Sequence, residues 1–178
     1  MAEIEHIWRS PKRRELMEEL ETAQVFENEG VEGCAHRRGG KRNVLFVAAE
    51  DLESLGVAPG RVKENFTVRG ADVMNWPIGQ RLVIGDAEFE VSMVCDPCEL
   101  MEEIRPGLQA ELEGKRGMLA KVLKTGRVTA GDEVVLGHSF RGEDAGSART
   151  QRYGRDRGRS LGASSAAQWH SRYFVKPC

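Results

Sequence analysis

The chain has 178 residues, of which 40% are hydrophobic, 30% charged and 6% aromatic, a composition typical of one soluble globular domain. Its formal net charge of −2 hides an uneven distribution: residues 138–178 carry eight basic and three acidic side chains, which leaves 18 basic and 25 acidic ones in residues 1–137. Such an acidic body argues against a duplex nucleic-acid binder, because phosphate contacts need clustered Lys and Arg.

The first residues, MAEIEHIW, lack the basic segment and apolar stretch of a secretory signal, and no apolar run approaches the roughly 20 residues of a membrane span. We therefore expect a cytoplasmic protein without a membrane partner. Its cysteines should then be reduced thiols. They are Cys34, Cys95, Cys98 and Cys178.

Short elements are predicted in the first half of the chain. Strands are expected at residues 4–8, 43–47 and 65–70. Helical spacing of Leu16, Met17 and Leu20 favours a short helix within residues 13–24, and a second one is expected at residues 48–56, with Gly56 at its end. Residues 28–42 hold four glycines and little apolar periodicity, which indicates a loop.

Hairpins are predicted in the second half. Residues 77–94 read as a hairpin around Gly85–Asp86, since apolar and polar residues alternate along its second arm. Residues 117–123 and 127–136 are predicted to pair as another hairpin. Strands outnumber short helices, so we expect a mostly β fold, barrel or sandwich, with a few short helices.

The character of the sequence changes after Gly137. Residues 138–178 are rich in Gly, Ser and Arg and lack a sustained apolar period, which predicts a disordered basic tail beyond a domain of residues 1–137. This tail is either passive, which its composition favours, or a weak binder of nucleic acid or an acidic partner through its basic side chains.

The segment VCDPCELMEEI, residues 94–104, holds the cysteines with the clearest chemical potential. Asp96 as N-cap, Pro97 in the first helical position and Glu99 two residues later predict a capped helix. Cys98 would then lie in its first turn, where unpaired N–H groups and the helix dipole favour a thiolate. Cys95 would lie just before the cap.

Several interpretations of these cysteines remain open from the residues alone. A redox pair needs a surrounding βαβ unit, which is not predicted here. A zinc site could combine Cys34 and His36 with Cys95 and Cys98. Cys98 could instead be a single soft ligand for a thiophilic metal, or both cysteines of the segment could be small buried hydrophobic residues.

Other polar residues are candidates for binding an anion. His36 stands in a glycine-rich loop with four cations, which is either a cradle for a phosphate or pterin anion or a solvated basic loop. Those cations are Arg37, Arg38, Lys41 and Arg42. Asn65 either hydrogen-bonds a ligand or caps a turn, and Arg116 is either a surface charge or an anion contact.

These stretches, taken together and in order, resemble the MOSC family, named for the C-terminal domain of molybdenum cofactor sulfurase. The resemblance covers roughly residues 4–136. The matching pieces are EGCAH, RNVLFV, APGRVKENFTVRGADV, PIGQRLVIGDAEFEV, CDPCELME, RPGL and RGMLAKVLKTGRVTAGD.

The resemblance implies a β-barrel-like fold and a protein that binds the molybdenum cofactor (molybdopterin) or carries sulfur to it. By position, Cys98 would ligate molybdenum or hold the sulfur. The weaker pocket candidates are His36, Arg42, Asn65 and Arg116. Partners would be proteins of the cofactor pathway or molybdoenzymes, and pyridoxal phosphate enters only through its association with sulfurase systems.

Two alternatives accompany this expectation: a molybdenum-dependent reductase of N-hydroxylated compounds, and a non-enzymatic β domain that binds zinc or a partner. The chain also departs from the family. Gly33–Cys34 stands where many members have Gly-Asp, and there is no room before residue 4 for the N-terminal barrel of the larger reductases.

Overall fold

A computed structural model describes residues 1–137, and the predicted tail lies outside them. The described residues form eleven strands, three short helices and one 3-10 turn at Val73–Asn75. The strands are β1 (Glu3–Arg9), β2 (Glu18–Leu20), β3 (Thr22–Phe26), β4 (Gly30–Val31), β5 (Val44–Ala48), β6 (Phe66–Arg69), β7 (Arg81–Ile84), β8 (Ala87–Val94), β9 (Met118–Lys124), β10 (Gly126–Thr129) and β11 (Val135–Leu136). The helices are α1 (Ala49–Ser54), α2 (Leu100–Ile104) and α3 (Leu108–Glu111).

The strands form two sheets. Eight of them, in the order β11-β7-β8-β9-β5-β6-β1-β2, make a sheet that curls into a half-barrel, and β10-β3-β4 make a smaller sheet. Within residues 1–137 every strand pair is antiparallel except β5–β6, which α1 connects as a crossover. The expected mostly β, barrel-like fold with a few short helices is confirmed.

A first core fills one face of the large sheet. Phe46 of β5 stacks on Phe66 of β6 at 5.0 Å between ring centroids and meets the edge of Phe89 of β8 at 5.4 Å. All three side chains are fully buried. Side chains alternate across a strand, so this face takes every second residue of β5 and leaves the others for the opposite face.

A second core lies on that opposite face. Leu45 and Val47 of β5 pack there with side chains from α1, α2 and α3 and their connections. β5 is therefore buried on both faces, which explains its continuous apolar sequence. The two cores are separated by the sheet, and this separation divides the candidate site residues.

Most predicted elements are confirmed. Strands occupy the expected regions near residues 4–8, 43–47 and 65–70, and β7 and β8 pair as the hairpin around Gly85–Asp86. The helix expected at residues 48–56 is α1, and Gly56 follows it with a φ of +63°. No helix among the described residues is long and apolar enough to cross a membrane.

The helix predicted within residues 13–24 is wrong. β2 occupies part of this segment and pairs antiparallel with β1, and β3 begins at Thr22. Leu16, one of the residues on which the helical spacing depended, is 72% exposed. Cross-strand pairing of Leu20 with Ile7 outweighs local helix propensity, and the glutamates of β2 suit an edge strand.

The second predicted hairpin is also wrong. β9 pairs with β5 and β8, whereas β10 pairs with β3 in the other sheet. Only Thr125 separates β9 from β10, so the chain passes directly from one sheet to the other. Glu27 N–H donates a hydrogen bond to the Thr125 hydroxyl at 2.9 Å, which helps to hold this crossing.

Candidate functional site

The segment that leads to Cys98 has no regular secondary structure between the end of β8 and the start of α2. α2 begins at Leu100, with Glu99 as its N-cap residue and no side-chain cap hydrogen bond. The prediction that Asp96 caps the helix is therefore wrong. After β8 the backbone still pairs with the residue before β9, because the Cys95 N–H donates to the Gly117 carbonyl at 3.0 Å. The helix therefore begins later in the chain than predicted.

Cys98 consequently lies outside the helix, although its carbonyl accepts the Met101 N–H at 2.9 Å. A helix of five residues beginning after Cys98 does not supply the dipole argument made from the sequence. Cys98 is partly buried and packs against the second core, whereas Cys95 belongs to that core and is 9% exposed. Cys98 is therefore the more accessible thiol of the pair.

The structure does not assemble the proposed zinc site. Cys34 belongs to the first core, while Cys95 and Cys98 belong to the second core on the other face of the sheet. Within residues 1–137 there is no group of three or more Cys, His, Asp or Glu side chains that could hold a metal ion. The zinc site of Cys34, His36, Cys95 and Cys98, one of the alternatives left open by the sequence, is therefore not formed in the described residues.

A buried acid and a buried base form the most unusual polar group of the described residues. Glu64, just before β6, is 0% exposed, and Arg116, just before β9, is 5% exposed. Glu64 Oε1 accepts hydrogen bonds from Gly60 N–H and from the Thr67 hydroxyl, the latter at 3.2 Å. Glu64 Oε2 and the Nε and Nη1 atoms of Arg116 are buried without any hydrogen-bond partner in residues 1–137.

The electrostatics of this pair follow from its burial. Burial raises the pKa of Glu64, and the hydrogen bonds from Gly60 and Thr67 and the charge of Arg116 oppose that rise. The two side chains attract each other but form no ion pair within 4.0 Å. Buried polar atoms are normally hydrogen-bonded, so the unpaired atoms of Glu64 and Arg116 are exceptions that require a physical explanation.

The segment that carries Cys98 is close to Arg116 along the sheet. The Cys95 N–H bonds to the carbonyl of Gly117, the residue that follows Arg116. On its other side, Gln109 Nε2 of α3 donates to the Pro97 carbonyl at 3.4 Å. The residues around Cys98 thus run between the start of β9 and α3, beside the second core.

The structure brings three predicted residues together in another place. Asn65 Nδ2 lies 3.8 Å from Cys34 Sγ. Burial raises the pKa of the Cys34 thiol, but His36 and the Ser10 backbone more than offset this and lower that pKa to about 7. Asn65 also accepts the Leu45 N–H at 3.1 Å and donates to the Trp8 carbonyl at 3.2 Å. Its amide is thus occupied by internal contacts, and it positions β1, β5 and Cys34.

The cations in the loop that carries His36 differ in the contacts they make. Arg42 is exposed and makes no side-chain hydrogen bond or ion pair within residues 1–137. Arg37 forms an ion pair with Glu29 and lies 4.5 Å from the centre of the Phe26 ring. No contact joins this loop to Arg116 or Cys98 in the described part of the chain.

Glu64 is the residue that sequence reasoning missed. In the motif ENFTVRG the sequence left Asn65 either to hydrogen-bond a ligand or to cap a turn. The structure uses Asn65 for internal contacts and leaves an oxygen of Glu64 unpaired. A glutamate directly before a strand of apolar residues was the available signal. Burial of its carboxyl depends on Arg116, which lies 52 positions later in the chain.

Together these observations define a mostly β, half-barrel domain with a buried carboxyl–guanidinium pair and a nearby accessible cysteine. The model of the MOSC domain family matches residues 35–135. The match spans more than half of the chain, and the protein belongs to the MOSC domain family.

Solved structures have the same fold. The YuaD protein from Bacillus subtilis superposes with a TM-score of 0.65 at 19% identity, covering 75% of this chain and 93% of that one. YiiM from Geobacillus stearothermophilus gives 0.66 at 20% identity, covering 80% and 78%. YiiM from Escherichia coli gives 0.61 at 21% identity, covering 76% and 70%. The comparison with curated proteins gives no match.

Proposed function

We propose that this protein binds the molybdenum cofactor (molybdopterin), or carries sulfur for it, through the thiolate of Cys98. The observation that carries the proposal is the buried pair, whose unpaired atoms are two N–H groups of Arg116 and one oxygen of Glu64. A phosphate group accepts hydrogen bonds from a guanidinium, and the N–H groups of a pterin donate to a carboxyl. The residues present therefore fit an anionic pterin.

Each residue has a separate task in this proposal. Arg116 neutralises the anion, and Glu64 fixes its orientation by accepting a hydrogen bond. Cys98 must lose its proton to act as a soft ligand, since the thiolate is the metal-binding form. When bound, the cofactor supplies a molybdenum centre that accepts sulfur and changes oxidation state.

The surrounding residues limit what else this site does. The apolar side chains of the second core pack against Cys98, whose thiol is partly buried. His36 and Arg42 stay predicted contacts of the cofactor through the exposed loop. Reduction of N-hydroxylated compounds would need the same cofactor and an external electron donor, and no contact in the described residues favours it.

The test is to purify the protein from a host that makes the cofactor and to measure molybdenum and pterin per chain. We expect both in the wild type. Arg116→Met should lower pterin content at least about tenfold, because a charge-assisted bidentate contact is lost. Cys98→Ala should lose molybdenum. Lys115→Met and Cys95→Ala are matched controls that should retain both.

Two results would overturn the proposal. The first is a wild-type protein without pterin from a host whose other molybdenum proteins are loaded. The second is equal molybdenum and pterin in wild type, Cys98→Ala and Arg116→Met. Circular dichroism of each variant separates a lost ligand from a lost fold.

A further inference from the structure

Three loops of the domain hold much of its positive charge. They are residues 10–15 after β1, residues 33–42 before β5 and residues 58–63 before β6. Together they carry nine basic side chains and one acidic side chain, whereas the rest of residues 1–137 carries nine basic and 24 acidic ones. The charge of the domain is therefore strongly polarised, with a net positive charge on these loops and a net negative charge elsewhere.

Hydrogen bonds bring the three loops together. The Ala35 N–H donates to the Ser10 carbonyl at 2.7 Å, which joins the second loop to the first. The Lys63 ammonium donates to the Glu15 carbonyl, which joins the third loop to the first. The three loops thus form one surface, the cationic surface, in which residues 10–15 contact both of the other loops.

Most cations of this surface have no carboxylate partner. Within residues 1–137, six of them are exposed and form neither an ion pair nor a side-chain hydrogen bond. They are Arg13, Arg14, Arg38, Lys41, Arg42 and Arg61. Of the nine cations, only Lys12 and Arg37 pair with a glutamate of the described residues. Like charges on neighbouring loops repel one another, so a negatively charged partner would relieve a repulsion that the fold leaves uncompensated.

Two cations of the surface are held in a backbone conformation that their residue types rarely adopt. Arg14 has a φ of +67° and Lys63 a φ of +66°, and Asn28 is the third non-glycine residue with a positive φ in residues 1–137. Asparagine tolerates this region, whereas arginine and lysine are strained there. The Lys63 ammonium bonds the carbonyl of Glu15, the residue after Arg14, so the two strained positions are joined. Backbone strain of this kind concentrates where side chains are held for function.

The composition of the cationic surface favours an acidic protein over a nucleic acid. The three loops contain no Phe, Tyr or Trp side chain, and single-stranded nucleic acid is held largely by stacking of its bases on such rings. Beyond the loops the domain is acidic, so a long polyanion that extended past them would be repelled. A second copy of the chain is disfavoured, because contact between unlike faces would form a ring or an open filament rather than a closed dimer.

We propose that the cationic surface is a docking site for a partner protein that presents a cluster of carboxylates. Unpaired arginines on three loops suit such a partner, since each guanidinium can donate two parallel hydrogen bonds to one carboxylate. The charge also orients the partner, because the remaining, acidic part of the domain repels it. This inference goes beyond the proposed function and does not rest on it, since Glu64, Arg116 and Cys98 take no part in the contact.

The first experiment measures binding of a fluorescein-labelled oligoglutamate peptide to the full-length protein by fluorescence anisotropy at low salt. The parent protein carries glutamine at the eight basic positions of residues 138–178, so that these positions do not contribute to binding. We expect Arg14→Gln/Arg38→Gln/Arg61→Gln to weaken binding about tenfold, because three charge-assisted contacts are lost. High salt should remove the difference between this variant and the parent.

The matched control is Lys121→Gln/Lys124→Gln/Arg127→Gln, which removes the same charge from outside the cationic surface. It should bind the peptide within about twofold of the parent, since only long-range, screened attraction is lost. Equal losses in the two triple variants would overturn the proposal. So would tighter binding of a single-stranded RNA of equal charge, or self-association at low salt that is lost only when the cationic surface is neutralised.

Two further variants test the strained position and the independence of the two proposals. Arg14→Gly should weaken peptide binding yet unfold at an equal or higher urea concentration than the parent, because glycine adopts a positive φ without strain. Unchanged peptide binding in this variant would contradict the role of the strained cation. Cys98→Ala, expected to lose molybdenum, should bind the peptide as the parent does, so that failure of either proposal is seen separately.

Cross-linking locates the contact directly. A carbodiimide joins a carboxylate of the peptide to a lysine ammonium that lies against it, and mass spectrometry identifies the lysine. We expect cross-links to Lys12 and Lys41 of the cationic surface. Cross-links to Lys121 or Lys124 instead would place the peptide elsewhere on the domain and overturn the proposal.

Discussion

Cys34 and Cys98 illustrate how the surroundings of single residues set their chemistry. Cys34 is 8% exposed, yet its pKa lies near 7 because donors outweigh the effect of burial. Cys98 is more accessible but precedes its helix instead of opening it. The sequence instead indicated Cys98 as the more activated thiol, because the predicted helix-cap residues surround it.

The acidity of Cys34 predicts a pH-dependent stability. Its folded pKa of about 7 lies below the unfolded value of 9.0, so between these values the unfolded chain binds more protons and stability rises with pH. Wild type should gain about 2 kcal/mol over Cys34→Ser between pH 7 and pH 9. Urea unfolding of both proteins across this range measures the difference. A constant difference would mean that the pKa of Cys34 is not lowered.

The buried Glu64–Arg116 pair predicts that substitutions of the two residues have non-additive effects on the free energy of unfolding. Arg116→Met should destabilise the fold, since it leaves a buried carboxyl without its cation, whereas Glu64→Gln keeps the bonds to Gly60 and Thr67. The double variant should recover about 1–3 kcal/mol of the loss relative to additivity. A thermodynamic cycle from denaturant unfolding measures this. Additive losses would show that the two groups do not interact.

At the scale of elements, the approach of β9 to β5 positions Arg116. The Gly117 backbone has a φ of +97°, and a Cβ there would collide with the Phe46 carbonyl oxygen and lie 2.9 Å from Val47 Cγ2. The residue beside Arg116 must therefore be glycine if β9 is to lie this close to β5.

Gly117→Ala should accordingly destabilise the protein by at least about 2 kcal/mol, from the strained φ and the backbone collision together. Gly114→Ala is the matched control, because Gly114 also has a positive φ, of +72°, but nothing lies within 4 Å of its added Cβ. That control should cost about 1 kcal/mol. Thermal unfolding of both variants and the wild type measures the two losses of stability. Equal effects would show that the close approach is not needed.

Elements with a clear local signal were predicted correctly, and the failures share one cause. Alternation marked β8 and a continuous apolar run marked β5, but the segment of β2 has its apolar residues at helical spacing. β9 and β10 are adjacent in sequence yet pair in different sheets. Pairing with distant strands decides such cases, and local periodicity does not contain that information.

At the scale of the whole molecule, the domain extends beyond its family match. The match begins at residue 35, but β1 lies between β6 and β2, and its Ile4 and Ile7 are fully buried in the first core. The N-terminal strand also donates and accepts hydrogen bonds with residues near β11, through Ile4.

Deletion of residues 1–9 should therefore abolish cooperative folding, because it removes two buried isoleucines and exposes the edge of β6. Leu16→Ser, at a site 72% exposed, is the control and should unfold like wild type. Circular dichroism during heating measures both. A cooperative transition in the deleted protein would contradict the role assigned to β1.

The sequence by itself determined the mostly β class, the central strand, the hairpin at Gly85–Asp86 and the family resemblance, since these depend on local pattern and ordered motifs. Only the tertiary structure decided which polar residues meet. It placed Glu64 with Arg116, gathered His36 and Asn65 around Cys34, and separated Cys34 from Cys98 by a sheet. The reason is physical: burial and hydrogen-bond partners come from strands far apart in sequence, and they set the charge and reactivity of each group.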